Sequence, residues 1–465
     1  MPSRKDEALK EQDPYLPSAG LEAVITRDEV FGEITEDGPN YRNVGWLGTV
    51  AIMMKTQIGL GVLSIPAAFD ILGLVPGVII LVIVAGITTW SSYIVGVFKR
   101  RHPNIYSIDD AGEMMFGRAG RYFFGTAFCF LWTLVSGSGM LSISIALNAV
   151  SAHGTCTAVF VAVAAILGFS FASIRTLGRI TWLAWIGIAG ILSSVFLVTI
   201  AVGVQDRPAA APQQGSWASD FKIVGNPSFT EAITAVSSII LAYLGTPAFF
   251  AVVSEMRDPR LFTRSMLVSQ GAATAVYITV GTVVYYYCGS YVASPALGSA
   301  GVLVKKIAYG IALPGLIVST TILTHIPAKW IFVRLLSGSR HLTESTPLHW
   351  ASWLGCTGGI TIIAYVIANA VPVFGGLVSL IGALFGSIMT FQPMGCMWLY
   401  DNWTRKDDER PLRWYLMVSW SVFIIVLGTF ITVAGTYGSI VSIIDSYNEL
   451  GGTKPWSCAD NSNSV

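Results

Sequence analysis

Two glycines and a proline interrupt the first apolar segment of this chain, in the run Ile58, Gly59, Leu60, Gly61, Val62, Leu63, Ser64, Ile65, Pro66. Glycine costs a helix about 1 kcal/mol relative to alanine, and an interior proline about 3 kcal/mol. In lipid the freed backbone groups find no water, so such a break must be buried in protein or face a polar cavity. The backbone of Ile58, Gly59, Gly61 and Val62 then has a chemical use. A half-helix starting there aims unpaired N–H groups at an anion such as a carboxylate. The competing reading is a glycine-lined crossing between helices, which is common in membrane bundles.

A second break, Tyr243-Leu244-Gly245-Thr246-Pro247-Ala248, lies at the matching position in the other half of the chain. Pro247 removes a helical hydrogen bond, and Gly245 lets another backbone approach closely. Carbonyls freed from Tyr243 to Thr246 suit an ammonium group. Alone, a kink held by neighbouring helices would explain this segment. Paired interruptions in corresponding positions mark the binding site of a secondary transporter. Tyr243 or Phe249 would roof such a site as an aromatic gate, or simply pack.

Seven further residues, in four places, carry chemistry. Lys55 sits inside the first apolar segment, where a mid-bilayer lysine costs about 2.5–3.5 kcal/mol on insertion scales. It either couples an ion or snorkels to the interface. Ser319, Thr320, Thr321 and Thr324 cluster within the eighth segment. Together with carbonyls of the first break they could hold sodium, or each hydroxyl bonds the carbonyl four residues back. Ser136, in Ser136-Gly137-Ser138-Gly139, offers a small polar face for selectivity or for helix packing. Glu255, at the end of the sixth segment, suits a gate or a local ion pair.

The elements that must position these residues follow from composition. The 465 residues are 53% hydrophobic and 12% charged, with a mean hydropathy of +0.63; soluble domains carry about 25% charged residues. The chain is therefore read as an all-α polytopic membrane protein in a lipid bilayer. A net charge of +1 argues for no nucleic-acid partner. Windows of about 20 residues place about eleven spans, near 46–72, 73–98, 122–150, 157–174, 180–204, 229–254, 262–288, 309–335, 350–370, 373–398 and 413–443. With the N-terminus inside, 21 of the 28 Lys and Arg fall in inner segments and five in outer ones, the other two being Lys55 and Lys329. That asymmetry sets the topology.

The spans predict three regions. Residues 1–44 form a disordered cytosolic tail where regulators act, 45–445 the transmembrane transporter domain, and 446–465 a short extracytosolic tail. No cleavable signal is seen in the polar N-terminal segment. Six cysteines are scattered singly, so no metal or CxxC redox site is expected. Cys156 and Cys288 both fall near outer ends of spans and are a candidate disulfide. No Walker loop, H-E-x-x-H or G-x-S-x-G occurs, so no enzyme is expected.

Three stretches together resemble the amino acid/auxin permease family, in particular its fungal neutral amino acid permeases. They are Met54–Phe69 (MKTQIGLGVLSIPAAF), Tyr106–Arg121 (YSIDDAGEMMFGRAGR), and the segment from Tyr243 through Glu255-Met256-Arg257-Asp258-Pro259. The resemblance covers roughly residues 40–445. It implies the leucine-transporter-like fold, an inverted repeat of spans one to five and six to ten plus one extra helix. It also implies symport of an amino acid with H+ or Na+ and no other cofactor. By position, the backbone from Ile58 to Val62 would meet the substrate carboxylate and Tyr243 to Thr246 its amino group, with Lys55 matching a family lysine. The expectation is a plasma-membrane amino acid transporter working by alternating access. A vacuolar or endomembrane exporter and a non-transporting amino acid sensor are the alternatives.

Overall fold

The computed structural model describes residues 26–28, 32–34, 44–174, 181–208, 210–212, 214–336, 339, 341, 346–371, 373–404, 411–449 and 456–462. A broken first span opens the bundle: α1 (Trp46–Gly61) and α2 (Ile65–Leu72), bent by 54° at the break. There follow α3 (Leu74–Arg101), α4 (Ile108–Ser151), α5 (Thr157–Ala172) and α6 (Thr181–Val204). The second half repeats the pattern, again opening on a broken span, α7 (Phe229–Ala242) and α8 (Phe249–Glu255). Then come α9 (Phe262–Cys288), α10 (Val302–Leu335) and α11 (Pro347–Ala370). The tenth span is built from α12 (Phe374–Ile381), α13 (Ser387–Thr390) and α14 (Gln392–Asn402), with a π-turn at Gly382–Gly386. An eleventh, α15 (Leu412–Glu449), stands outside the repeat.

Among the described residues nine helices are long and apolar enough to cross a membrane, and the bent pair α1–α2 makes a tenth. The 16 residues of α5 reach roughly 24 Å, close to the hydrocarbon thickness, and complete eleven. Two of these helices exceed the spans read from hydropathy. α4 begins at Ile108 rather than near 122, passing through Gly117 at φ +66°, and α10 begins at Val302 rather than near 309. Both extensions carry charges, Asp109, Asp110, Glu113, Arg118 and Arg121 in α4 and Lys305 and Lys306 in α10, so a hydropathy window discards them.

The helices sort into two packed groups. α4, α5, α10 and α11 pack on one another, while α1, α2, α3, α7 and α9 form the other set. α6 touches both, lying against α10 on one side and α1 and α9 on the other. Glycines allow the close approaches: a Cβ at Gly137 would meet the carbonyl of Ala364, and one at Gly315 the carbonyl of Gly187. Small residues at crossings are how membrane helices gain packing energy where lipid offers no hydrophobic drive.

The two ends of the chain depart from the sequence reading. Most of residues 1–44 lies outside the described residues, but Thr26–Asp28 and Gly32–Ile34 form a short antiparallel ladder. Val44 is tied to the end of the sixth span, its N–H donating to Glu255 O and its O accepting from Arg257 N–H. The disulfide is Cys156–Cys458, not Cys156–Cys288, with Cα atoms 4.3 Å apart. Cys288 is a free, buried thiol at the end of α9. The cause is that residues 456–462 fold back over the bundle. Asn461 Nδ2 donates to Ser144 Oγ at 3.0 Å, Thr157 Oγ1 donates to Ala459 O, and Trp456 stacks edge-on against Tyr365.

Candidate functional site

α1 is hydrophobic almost all round and largely buried, so its polar residues need partners in the interior. Its last turn holds Gly59 and Gly61. Both therefore close the first half-helix instead of opening the second, which corrects the reading of their N–H groups as a carboxylate cradle. Inside a helix those N–H groups serve the carbonyls four residues back. What a helix C-terminus leaves unpaired is carbonyls. The second half-helix starts at Ile65, with Pro66 in its first turn, where the missing N–H costs nothing.

At the break itself the backbone is largely committed. Gly61 O accepts from Ser64 N–H at 3.1 Å and from Ser64 Oγ at 2.9 Å. Leu63 O accepts from Ala296 N–H at 2.9 Å, which ties the break to the loop after α9. Gly61 marks the crossing of the two breaks. A Cβ placed on it would lie 2.5 Å from Ala242 Cα and 3.0 Å from Ala242 O. Gly61 thus serves the glycine-lined crossing, which coincides with the break.

A cavity of about 60 Å³ lies against this end of α1. Its polar wall is Lys55, Thr56, Gln57 and Ser319, with the backbone of Gly59 and Gly61; its apolar wall includes Val135, Leu241, Leu244 and Leu323. Gln57 is 2% exposed, and neither its amide oxygen nor its amide nitrogen has a hydrogen-bond partner among the described residues. A buried, wholly unsatisfied carboxamide costs roughly 1–3 kcal/mol, a penalty a polar ligand in the cavity would remove. Sequence reasoning passed over Gln57, although a lone amide beside an intramembrane lysine was a readable signal.

Lys55 Nζ donates to Gly315 O at 3.0 Å. The side chain is 5% exposed and has no ion-pair partner among the described residues. Its ammonium end lies between α1, α6 and α10, close enough to Gly187 that a Cβ there would meet Nζ at 3.1 Å. Ser319 Oγ donates to the same Gly315 O at 3.0 Å, and a Cβ on Gly59 would meet that Oγ at 3.0 Å. Thr320, Thr321 and Thr324 likewise donate to carbonyls four residues back, at 3.0, 2.8 and 2.8 Å. Of the hydroxyl cluster only Ser319 reaches the cavity wall.

The remaining expected residues surround the cavity without lining it. Tyr243 is fully buried; its hydroxyl donates to Thr274 Oγ1 at 2.9 Å and its ring stands edge-on to Tyr277. Tyr277 OH in turn donates to Ala242 O at 2.7 Å, capping one carbonyl freed by the second break. Thr246 Oγ1 bonds Ser92 Oγ at 3.3 Å. Gly245 holds Phe249 and Thr56 close; a Cβ there would meet Phe249 Cζ at 2.8 Å and Thr56 Oγ1 at 2.9 Å. Ile58 and Val62 point into packed core. Ser136 Oγ bonds Thr324 Oγ1 at 2.6 Å, joining α4 to α10. Glu255 lies 4.0 Å from Lys329 Nζ, linking the end of the sixth span to α10.

A second polar knot joins α4 to the end of α10. Arg334 pairs with Asp109 and, at 2.9 Å, with Asp110; Trp330 Nε1 donates to Asp109 Oδ1 at 3.2 Å. These partners explain why the motif Tyr106–Arg121 is helical from Ile108: Ser107 and Asp110 form a reciprocal capping box.

Comparisons with known proteins agree with this architecture. Among solved structures, a nucleobase-cation-symport-1 family transporter, closed around bromovinylhydantoin, matches 92% of this chain and 98% of its own at a TM-score of 0.51 and 14% identity. A Na+-coupled sialic acid symporter in a substrate-bound, outward-open state matches 86% and 90% at a TM-score of 0.52 and 15% identity. The shared fold is the leucine-transporter-like one. A fungal protein described as a transmembrane transporter, from Gibberella moniliformis, is 35% identical over 464 residues, covering 100% of this chain and 97% of its own. The N amino acid transport system protein of Neurospora crassa is 33% identical over 433 residues, covering 92% and 91%. The family model described as transmembrane amino acid transporter protein matches residues 42–441. The chain belongs to the transmembrane amino acid transporter family.

Proposed function

We propose that this protein carries neutral amino acids across the membrane by proton-coupled symport with alternating access. The observation that carries the reading is the cavity at the crossing of the two broken spans. It has an unsatisfied carboxamide, Gln57, on one wall and aliphatic side chains on the other. Pro66 and Pro247 have no N–H, so the carbonyls four residues earlier, Val62 and Tyr243, lose their helical donor. Those two carbonyls are the acceptors assigned to the substrate ammonium. The N-terminus of α2, with its partial positive charge, is assigned to the carboxylate. Among the described residues no acidic side chain lines the cavity, which favours an uncharged substrate side chain over a cationic one.

The choice of ion rests on Lys55. Its ammonium occupies the niche beside Gly315 O and Ser319, where carbonyl and hydroxyl oxygens would otherwise coordinate sodium. Two cations about 3 Å apart repel strongly at low dielectric. Lys55 is the ionisable group lining the cavity and so the proposed proton carrier, and Glu255–Lys329 is the proposed gate on the side where α1 begins.

We place the protein in the plasma membrane with its N-terminus in the cytosol. Lys and Arg asymmetry supports that orientation. So does the disulfide, since Cys156 and Cys458 both fall in segments read as outer, where thiols are oxidised. The N-terminal tail is the proposed seat of cytosolic regulators. The test is uptake of labelled amino acids into proteoliposomes under an imposed pH or sodium gradient. Accumulation should follow the pH gradient, collapse with a protonophore and ignore sodium. Binding without accumulation under either gradient would favour a sensor.

A further inference from the structure

A second cavity, of about 400 Å³, opens on the outside of the bundle between α3, α14 and the start of α15. Its floor is Trp90, Ile94, Val97, Met397 and Met417, and its mouth holds Arg101, Asp401 and Arg413. The surrounding surface is apolar and exposed at Tyr93, Tyr400, Leu412 and Leu416, so the groove faces lipid and not water. From Arg101 to Trp90 it runs roughly 16 Å along α3, about half of a ~30 Å hydrocarbon core. At the deep end Trp90 closes edge-on against Trp420, with centroids 6.0 Å apart. The space is as long as one leaflet and shut at mid-bilayer.

The mouth is cationic. Asp401 is taken up by Arg101 Nη1 at 3.0 Å and His102 Nε2 at 2.8 Å. The guanidinium of Arg413 has no hydrogen-bond or ion-pair partner among the described residues. An exposed arginine with no partner among the described residues, at the interfacial end of a tail-length apolar groove, is complementary to a phosphate. We propose that this groove binds one anionic phospholipid. An acyl chain lies along Trp90–Val97, and the headgroup phosphate pairs with Arg413 and the free face of Arg101. Sterols fill grooves of this depth too, but a sterol hydroxyl makes no use of an unpaired guanidinium. The proposal is independent of which amino acid is carried.

The test uses the full-length purified protein in detergent, titrated with dioleoyl phosphatidylglycerol or dioleoyl phosphatidylcholine while thermal unfolding is followed. Phosphatidylglycerol should stabilise at lower concentration than phosphatidylcholine. One arginine near an anionic lipid is worth about 1 kcal/mol, so Arg413→Gln should weaken that preference about fivefold. Arg118→Gln, another exposed arginine away from the groove, should leave it unchanged. Val97→Trp, which fills the groove, should remove the lipid effect while the lipid-free melting temperature stays near wild type. Equal responses to the two lipids, or equal loss in Arg413→Gln and Arg118→Gln, would overturn the proposal. So would full stabilisation of Arg413→Gln by cholesteryl hemisuccinate without any phosphatidylglycerol preference in the wild type.

Discussion

Three glycines separate a clash from a contact from free space, and alanine at each gives a graded test of the crossing. At Gly61 the new Cβ would stand 2.5 Å from Ala242 Cα and 2.9 Å from Ala242 Cβ. Ordinary carbon contacts begin near 3.5 Å, so α1 and α7 must part by about 1 Å. No rotamer relieves this, because the obstacle is backbone. Overpacking of this kind costs about 1–3 kcal/mol, offset by at most about 1 kcal/mol of regained helix propensity. A shift of about 1 Å at a binding site can also cost about 100-fold in function. At Gly59 the Cβ would meet only Ser319, its Cβ at an ordinary 3.7 Å and its Oγ at 3.0 Å, and that hydroxyl can turn away. At Gly86 nothing lies within 4 Å.

The expected order in apparent melting temperature is Gly86→Ala at or above wild type, Gly59→Ala near it, and Gly61→Ala lowest. Uptake should be normal, moderately reduced and lost by at least tenfold, in the same order. Measuring both in one purified preparation separates folding from transport. If Gly61→Ala melts and transports like Gly86→Ala, the helices do not cross where the structure puts them.

Other perturbations probe the rest of the site. Gln57→Leu should fold normally, since it removes an unsatisfied amide, yet raise the KM for neutral amino acids about tenfold; an unchanged KM would remove Gln57 from the site. Lys55→Met should abolish pH-gradient-driven accumulation while leaving substrate exchange between vesicle compartments; retained proton-driven accumulation would eliminate Lys55 as the carrier. Cys156→Ser and Cys458→Ser should each expose one new thiol to a membrane-impermeant maleimide from outside, whereas Cys288→Ser should expose none. At Asp220 burial opposes ionisation, but the N–H and hydroxyl of Ser290 outweigh it and hold the carboxyl below the usual range. Its stabilisation is therefore present above about pH 4 and lost as pH falls through the lower folded value, so Asp220→Asn should lower stability near neutrality, converge with wild type in acid and so flatten the acid limb of the stability curve.

Much of the architecture was legible because lipid permits few solutions. Glycine and proline together, at matching positions in the first and sixth spans, announced both breaks; proline alone does not, since α10 runs unbroken through Pro314 and Pro327. The direction of the first break was readable too, and was misread. Pro66 belongs in the first turn of a helix, which puts the start of α2 after Gly61 and leaves both glycines at the end of α1. Cys458 was out of reach for a different reason. Its partner lies 302 residues away, and only the folded tail brings Asn461 to Ser144 and Cys458 to Cys156. The roles of Tyr243 and Thr246 were hidden similarly: each hydroxyl is spent on a helix, α9 or α3, whose register the sequence does not reveal.

A broken helix in lipid leaves the chain with backbone groups to satisfy, and how this chain satisfies them narrows what the substrate can touch. Gly61 O is held by Ser64, Leu63 O by Ala296 and Ala242 O by Tyr277. Each is a local answer that costs no ligand. Val62 and Tyr243 differ, because the residue four places on is proline in both cases. The two halves of the repeat thus free one carbonyl each, on either side of the Gly61–Ala242 crossing. An ammonium group carries three N–H donors, so the proposed site, with one freed carbonyl from each broken span, offers it more than a single kink would. On this proposed reading, binding depends on how α1 and α7 sit against each other. A motion that moves the two broken spans relative to α4 and α10 would carry the acceptors with it and keep the substrate held while access changes sides.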